Sequence, residues 1–335
     1  MKKPRMLRPG DKVVAVSPSW GIAGDPAILP KWERAVKEIE KLGIKIVPGE
    51  NSLKGEDYLK AHPRARAQDI NSAFADPTVS GIIANIGGND SDRILPWLDK
   101  ALISSNPKIF VGYSDVMNVH LYLYKLGITS FYGPNLLSNF AEYGGVHPYT
   151  AEWFKRILFT NTAPGMIPAA SESTARTNDI FACDSPGRYR AETGYVLLSG
   201  RGSACGRLFG GHTGILDYPG ITAEDFDGKI LFLEDIPEFF SPADLEEFAQ
   251  KLGKMGALSK LQGIVFGKLC EDADVCRHFS GFVSTVSEDF SRPDMPIFAN
   301  LNFGHTSPTL TLPYGAKAKL DCGKLIFEIT ESSVE

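Results

Sequence analysis

Lys108-Ile109-Phe110-Val111-Gly112-Tyr113-Ser114-Asp115-Val116-Met117 carries the clearest chemical content of the chain. An apolar run of strand character passes through Gly112-Tyr113-Ser114-Asp115 straight into a segment with helical spacing. Such a strand–turn–helix junction can lift a serine Oγ above a sheet, at the positive end of the helix dipole. It also aims the first free backbone N–H groups at whatever Ser114 attacks, which is half of an oxyanion hole. The usual elbow has a second glycine two residues after the serine, and here that position is Val116. The same residues would serve equally as helix caps. A second turn, Ile86-Gly87-Gly88-Asn89-Asp90-Ser91, follows another apolar run and opens at the same carboxyl edge. There doubly wound sheets bind ligands. A cap at Asn89, Asp90 or Ser91 explains one residue of that turn but not the glycine pair, which lets backbone approach a substrate closely.

A nucleophilic serine needs a base, and the base needs an orienting acid. Six histidines are available. His120 lies within the helix after Ser114, and His62 and His278 sit in polar surroundings without strand-end context. His305, in Gly304-His305-Thr306-Ser307-Pro308, follows the apolar run from Ile297 to Phe303. His212, in Gly210-Gly211-His212-Thr213, competes with it. For the acid, Ile230-Leu231-Phe232-Leu233-Glu234-Asp235 places two carboxylates at the end of a buried strand, where a charge is costly without a partner.

These residues need a scaffold, and the first half of the chain repeats one phrase. Strands are expected at Val13–Val16, Ile44–Val47, Gly81–Ile86, Lys108–Val111 and Thr129–Tyr132. Helices are expected from Pro30 to Leu42, Arg64 to Phe74, Ser91 to Ile103 (with Pro96 a possible kink) and Asp115 to Leu126. That alternation predicts an α/β fold with a parallel, doubly wound sheet over residues 1–160. Residues 161–194, rich in Pro, Ser, Thr, Gly and Asn, read as a linker or active-site loop. Residues 195–335 read as a mixed α/β domain. Strands are expected there at Tyr195–Leu198, Ile230–Leu233, Gly263–Phe266 and Ile297–Ala299, and a hairpin at Ala318–Leu320 and Leu325–Ile329. A helix is expected from Ser241-Pro242, with Leu245, Phe248, Ala249 and Leu252 inward.

Composition narrows the function. At 335 residues, with 43% hydrophobic and 22% charged residues and a net charge of −5, this is an ordinary globular chain of about two domains. The acidic balance gives no nucleic-acid footprint. No apolar run is long enough to span a bilayer. Five scattered cysteines do not form a disulfide framework. With no apolar core after Met1-Lys2-Lys3 where a signal peptide would need one, the expected location is cytoplasmic. Gly200-Arg201-Gly202-Ser203-Ala204-Cys205-Gly206 resembles a dinucleotide loop, but no helix follows to hold a pyrophosphate. Cys270, Asp272, Asp274, Cys276 and His278 fit no zinc spacing and read as a solvated loop. No metal or other cofactor is expected.

Several motifs in register resemble the LD-carboxypeptidase family of serine peptidases. They are Leu7-Arg8-Pro9-Gly10-Asp11 with Val16-Ser17-Pro18, Ala67 to Pro77, Gly87-Gly88, Gly112–Asp115, Leu231–Asp235 and Gly304-His305. The resemblance covers nearly the whole chain. It implies a flavodoxin-like N-terminal domain, a smaller β-rich C-terminal domain, a site in the cleft and a homodimer. It also implies Ser114 as nucleophile, His305 as general base and Glu234 as its orienting acid. The backbone N–H groups of Asp115 and Gly88 (or Gly87) would then form the oxyanion hole. Gly88-Asn89-Asp90-Ser91 and Phe131-Tyr132-Gly133-Pro134-Asn135 look like the microcin C immunity branch, which cuts the amide joining a peptidyl or aspartyl carboxyl to a modified adenylate. On that reading Gly87, Asn89 and Asp90 meet substrate, Tyr195 is the nearest match to a tryptophan that stacks on adenine, and His212 stands where asparagine is usual. Release of a D-amino acid from murein tetrapeptide is the alternative within the family. A non-catalytic protein using the same cleft is the alternative outside it.

Overall fold

The β-branched runs of the first half form five parallel strands: β1 (Lys12–Val16), β2 (Lys45–Pro48), β3 (Val79–Ala84), β4 (Ile109–Gly112) and β5 (Phe131–Tyr132). The computed structural model describes residues 1–175, 189–270 and 273–335. Across the sheet these strands run β2-β1-β3-β4-β5, all parallel. That is the flavodoxin-like order, with its switch point between β1 and β3. Side chains alternate between the two faces, so each face needs its own cover. Val14, Val16, Ile82 and Phe110 pack with Ile70 and Phe74 of the helix Pro63–Ala75. Val13, Ala15, Ile83 and Val111 pack with Trp32 and Ile39 of the helix Leu29–Glu40.

The helix expected from Ser91 to Ile103 is instead two pieces. A 3-10 stretch, Ser91–Trp97, contains Pro96, and a separate short helix, Lys100–Ser105, is capped by the Asp99 side chain. Proline removes a backbone donor and disfavours helical geometry before it, so it ends the element rather than kinking it.

The remaining strands are β6 (Gly165–Ile167), β7 (Glu172–Ala175), β8 (Arg190–Ala191), β9 (Val196–Ser199), β10 (Ser203–Gly211), β11 (Lys229–Leu233), β12 (Gly263–Gly267), β13 (Ile297–Leu301), β14 (Thr306–Ser307), β15 (Leu312–Pro313), β16 (Lys317–Asp321) and β17 (Ile326–Ile329). A second sheet runs β6-β17-β16-β10-β11-β12-β13-β9, parallel at its centre from β10 to β13 and antiparallel outside. Sequence reading missed β10, whose first half lacks large apolar residues and whose last two residues are glycines. The helix Pro242–Lys254 begins as expected, with Ser241 and Asp244 capping each other reciprocally.

The stretch 161–194 is only partly a loop. Its β6 extends the second sheet, and β7 pairs with β8 and with β14, immediately after His305. Residues 176–188 of that expected loop lie outside the described residues, as does Asp272. The segment after Cys270 contains a helical turn, Val275–His278, while Cys270 itself is buried beneath His305. Among the described residues no helix is long and apolar enough to cross a membrane, and no cluster of three or more His, Cys, Asp or Glu is arranged to hold a metal.

His120 is fully buried behind β4, with Nε2 at 2.8 Å from the Gly112 carbonyl oxygen and Nδ1 at 2.9 Å from Ser130 Oγ. Burial outweighs the Gly112 hydrogen bond and pushes its pKa down to about 3. The unfolded chain therefore binds a proton between about pH 6.5 and 3 that the folded chain refuses. Stability from this group is complete above about pH 6.5 and should fall, on acidification, by up to about 1.4 kcal/mol per pH unit. Urea unfolding of the wild type and of His120→Gln between pH 7 and 4 measures it. The slope should flatten in the variant, and equal slopes would show that another group carries the acid sensitivity.

Candidate active site

Two carboxyl edges meet at the site. β4 of the first sheet ends at Gly112, and the chain turns through Tyr113 and Ser114 into the helix Met117–Lys125. Ser114 takes φ +66°, a left-handed conformation rare for a residue with a side chain and costing about 1–3 kcal/mol. Its backbone N–H donates to the Tyr132 hydroxyl at 3.1 Å. A Cβ on Gly87 would come within 2.7 Å of Ser114 Cβ, so only glycine lets the turn after β3 lie so close.

The second sheet supplies the rest. Glu234 follows β11, His305 follows β13, and His212 follows β10. His305 Nε2 stands 3.0 Å from Ser114 Oγ, and its Nδ1 stands 2.6 Å from Glu234 Oε2. Glu234 is 1% exposed, and its other oxygen accepts the Tyr132 hydroxyl. Burial works to raise the Glu234 pKa, but the adjoining imidazole and these hydrogen bonds prevail and hold the carboxyl below its ordinary value. Gly304, at φ +96°, allows the chain to pass over this carboxylate, since a Cβ there would sit 2.4 Å from Glu234 Oε2. The Tyr113 and His305 rings meet in a T-shaped contact, with 5.1 Å between centroids.

The loops of the first sheet are pinned by Asp115. Its carboxylate accepts from Ser19 Oγ, from the backbone N–H groups of Asp90 (3.0 Å) and Ser91 (2.8 Å), and from Asn118 Nδ2 (3.2 Å). These bonds tie the turns after β1 and β3 to the serine turn, and the carboxylate also suits a helix N-terminus. Buried Arg66 completes the tie with a fork onto Asp90, at 2.7 and 3.1 Å, and a bond to the Ser19 carbonyl oxygen.

A cavity of about 450 Å³ opens on this arrangement. Gly88, Asn89, Ser114, Asp115, His212 and His305 all line it. Three expected substrate contacts, Gly87, Asp90 and Tyr195, do not, and Gly87 lies packed against the Ser114 side chain. Asp90 is taken by Arg66, and Tyr195, only 9% exposed, is packed in the core with its hydroxyl donating to the Ile167 carbonyl oxygen at 3.0 Å. The aromatic residue that does line the cavity and is well exposed is Phe239, at 61%. Nothing in the sequence singled it out. Tyr132 is read from sequence only as part of the Phe131–Asn135 motif and not as the partner of Glu234, although a tyrosine in a fully buried strand must find a partner for its hydroxyl.

The arrangement can perform nucleophilic acyl transfer: a hydroxyl, an imidazole and a buried carboxylate stand in one hydrogen-bonded line at a sheet's carboxyl edge. Comparison with known proteins narrows that class to a family. The LD-carboxypeptidase N-terminal domain matches residues 13–133, and the LD-carboxypeptidase C-terminal domain matches residues 205–320. The microcin C7 self-immunity protein MccF of Escherichia coli is 30% identical over 311 residues, covering 89% of this chain and 87% of that protein. A probable murein peptide carboxypeptidase of Bacillus subtilis (strain 168) is 29% identical over 323 residues, covering 95% of this chain and 91% of that protein. The solved structure of MccF in complex with aspartyl sulfamoyl adenosine superposes with a TM-score of 0.85 at 26% identity, covering 100% of both chains. The chain belongs to the LD-carboxypeptidase family of hydrolases.

Tyr132 is the hydroxyl that both satisfies Glu234 and receives the Ser114 N–H. Tyr132→Phe should therefore leave a buried carboxylate oxygen unpaired and lower stability by about 1–3 kcal/mol. Denaturant titration checks this, and an unchanged midpoint would show that the hydroxyl is dispensable.

Proposed function

We propose that this protein is a serine amide hydrolase that cleaves the bond joining an aspartyl or peptidyl carboxyl to a modified adenylate. The observation that carries the reading is the continuous line Ser114 Oγ–His305–Glu234, at 3.0 and 2.6 Å, facing one cavity. Ser114 Oγ attacks the scissile carbonyl carbon while His305 Nε2 takes its proton. Glu234 holds the imidazole with Nδ1–H toward itself and stabilises the cation that forms. The tetrahedral oxyanion is received by the backbone N–H groups of Gly88 and Asp115. His305 then returns the proton to the leaving nitrogen, the amine departs, and an ester to Ser114 remains. Water, deprotonated by the same imidazole, cleaves that ester and restores the hydroxyl.

The substrate class is supported by two features. The relatives include MccF, solved with an aspartyl sulfamoyl adenosine. Beyond the serine, the cavity wall carries Leu216, Phe239 and Phe248, an apolar face suited to a flat base. Murein peptide cleavage is the second reading, favoured by the Bacillus subtilis relative.

Ser114→Ala should fold normally and lose turnover, retaining only the roughly 10³-fold over water that binding and the oxyanion hole supply. Full activity in that variant removes Ser114 as nucleophile. Glu234→Gln should cost less, because it misorients the base without removing it. Separate incubations with aspartyl sulfamoyl adenosine and with murein tetrapeptide, followed by mass spectrometry, decide the substrate. Release of aspartate from the former is expected, release of D-alanine alone shifts the assignment to murein, and binding without turnover favours a non-catalytic role.

If Phe239 stacks on the leaving base, Phe239→Ala should raise KM on the adenylate amide by about 2- to 10-fold with little change in kcat, the worth of one aromatic contact. Steady-state kinetics test this, and an unchanged KM places the base elsewhere.

A further inference from the structure

Lys268 is buried directly after β12, outside the cavity, and the hydrolytic steps do not use it. An ammonium withdrawn from water is costly unless it is paired. Burial pulls the Lys268 pKa below the ordinary lysine value, against the opposing pull of Glu192. Its Nζ donates to Glu192 Oε2 at 2.6 Å and to Asn300 Oδ1 at 2.8 Å. Glu192 follows β8, and its other oxygen accepts from Ser173 Oγ in β7. Asn300 lies in β13, and its Nδ2 donates to the Gly194 carbonyl oxygen at 2.7 Å and to Glu192 Oε2 at 3.2 Å. One buried cation thus ties β12 to β13 and to the β7–β8 pair.

Both flanks of the general base end on this tie. Upstream, β13 has one residue more than β12 between the paired positions Val265–Phe298 and Gly267–Leu301. A bulge of this kind re-aims the chain that follows it. Asn300 sits in that bulge at φ +69°, a region asparagine tolerates better than most residues. The chain it re-aims runs from Leu301 to Gly304 and delivers His305. Downstream, Thr306 and Ser307 of β14 pair with Ala175 and Thr174 of β7, the strand that Glu192 holds through Ser173. The residue before Lys268 meets the acid as well. A Cβ on Gly267 would come within 2.6 Å of the Phe303 carbonyl oxygen and 2.8 Å of Glu234 Cβ.

We propose that Lys268 is a positioning residue for the general base, its ammonium holding the bulge before His305 and the strand beside β14 after it. Neither Lys268 nor its two partners lines the cavity, so the effect reaches the reaction only through the imidazole. A buried ion pair adds little stability over apolar residues of its size, and what this one supplies is geometry. The inference rests on the serine-hydrolase reading of the site but not on which substrate is cleaved.

Lys268→Met alone would leave the Glu192 charge unpaired, so the double variant Lys268→Met/Glu192→Gln removes both charges. Asn300→Gly gives an independent cut, since glycine suits the left-handed backbone but releases β13 from the ammonium. Thermal melts establish folding. Two readouts are then compared with the wild type: the rate at which a fluorophosphonate labels Ser114, followed by mass spectrometry, and the ring 1H and 15N resonances of His305, assigned with His305→Gln. Labelling should slow by about 10- to 100-fold, the scale of a misplacement of up to about 1 Å. The His305 resonances should move as the bond to Glu234 loosens. On whichever of aspartyl sulfamoyl adenosine and murein tetrapeptide is cleaved, kcat should fall while KM stays within about 2-fold. A folded variant that labels at the wild-type rate, or labels slowly with unmoved His305 resonances, overturns the proposal. Failure of both variants to fold overturns it too, because the tie is then structural. A wild type that is never labelled, while the resonances still move in the variants, sinks the hydrolase reading alone.

Discussion

The carboxylate of Glu234 cannot be solvated where it sits, and the site is organised around that fact. A carboxylate removed from water is tolerated only with partners that satisfy its oxygens and compensate its charge. One partner, His305, comes from the second sheet, and the other, Tyr132, comes from the first. The charge therefore finds its full set of partners only when both sheets are folded and docked. Since Tyr132 also receives the Ser114 N–H, the docking that satisfies the acid fixes the serine turn as well.

A second polar constraint governs the other side of the cavity. Three loops leave the carboxyl edge of the first sheet near its switch point, and loops of that kind drift unless something holds them. Asp115 collects their donors into one carboxylate, and Arg66 fastens Asp90 from behind. Gly88 is thus positioned by groups that need never touch a substrate. Preorganised backbone donors stabilise charge because they need no rearrangement during reaction.

Much of this was legible in the sequence because the signals were local. Buried parallel strands announce themselves as apolar runs, and Ser241-Pro242 with Asp244 marks a helix start regardless of context. Ser114, His305 and Glu234 were each visible as strand-end residues, but only the registered motifs paired them, since nothing local selects His305 over His212. The misses were non-local. Asp90 looked like a free turn residue because Arg66, 24 positions earlier, gave no sign of reaching it. Tyr195 looked available until the core enclosed it, and β10 became a strand only through its neighbours β11 and β16.

The short strand β15 carries a consequence for how the chain is made. It comes from the C-terminal part yet pairs antiparallel with β5, covering the outer edge of the first sheet. An open strand edge is a template for intermolecular pairing. A nascent N-terminal half, already carrying all five parallel strands, must wait for nearly two hundred further residues to emerge before that edge is sealed. The vulnerable interval in the life of this protein is its own synthesis, when β5 is formed and its natural neighbour is not yet translated.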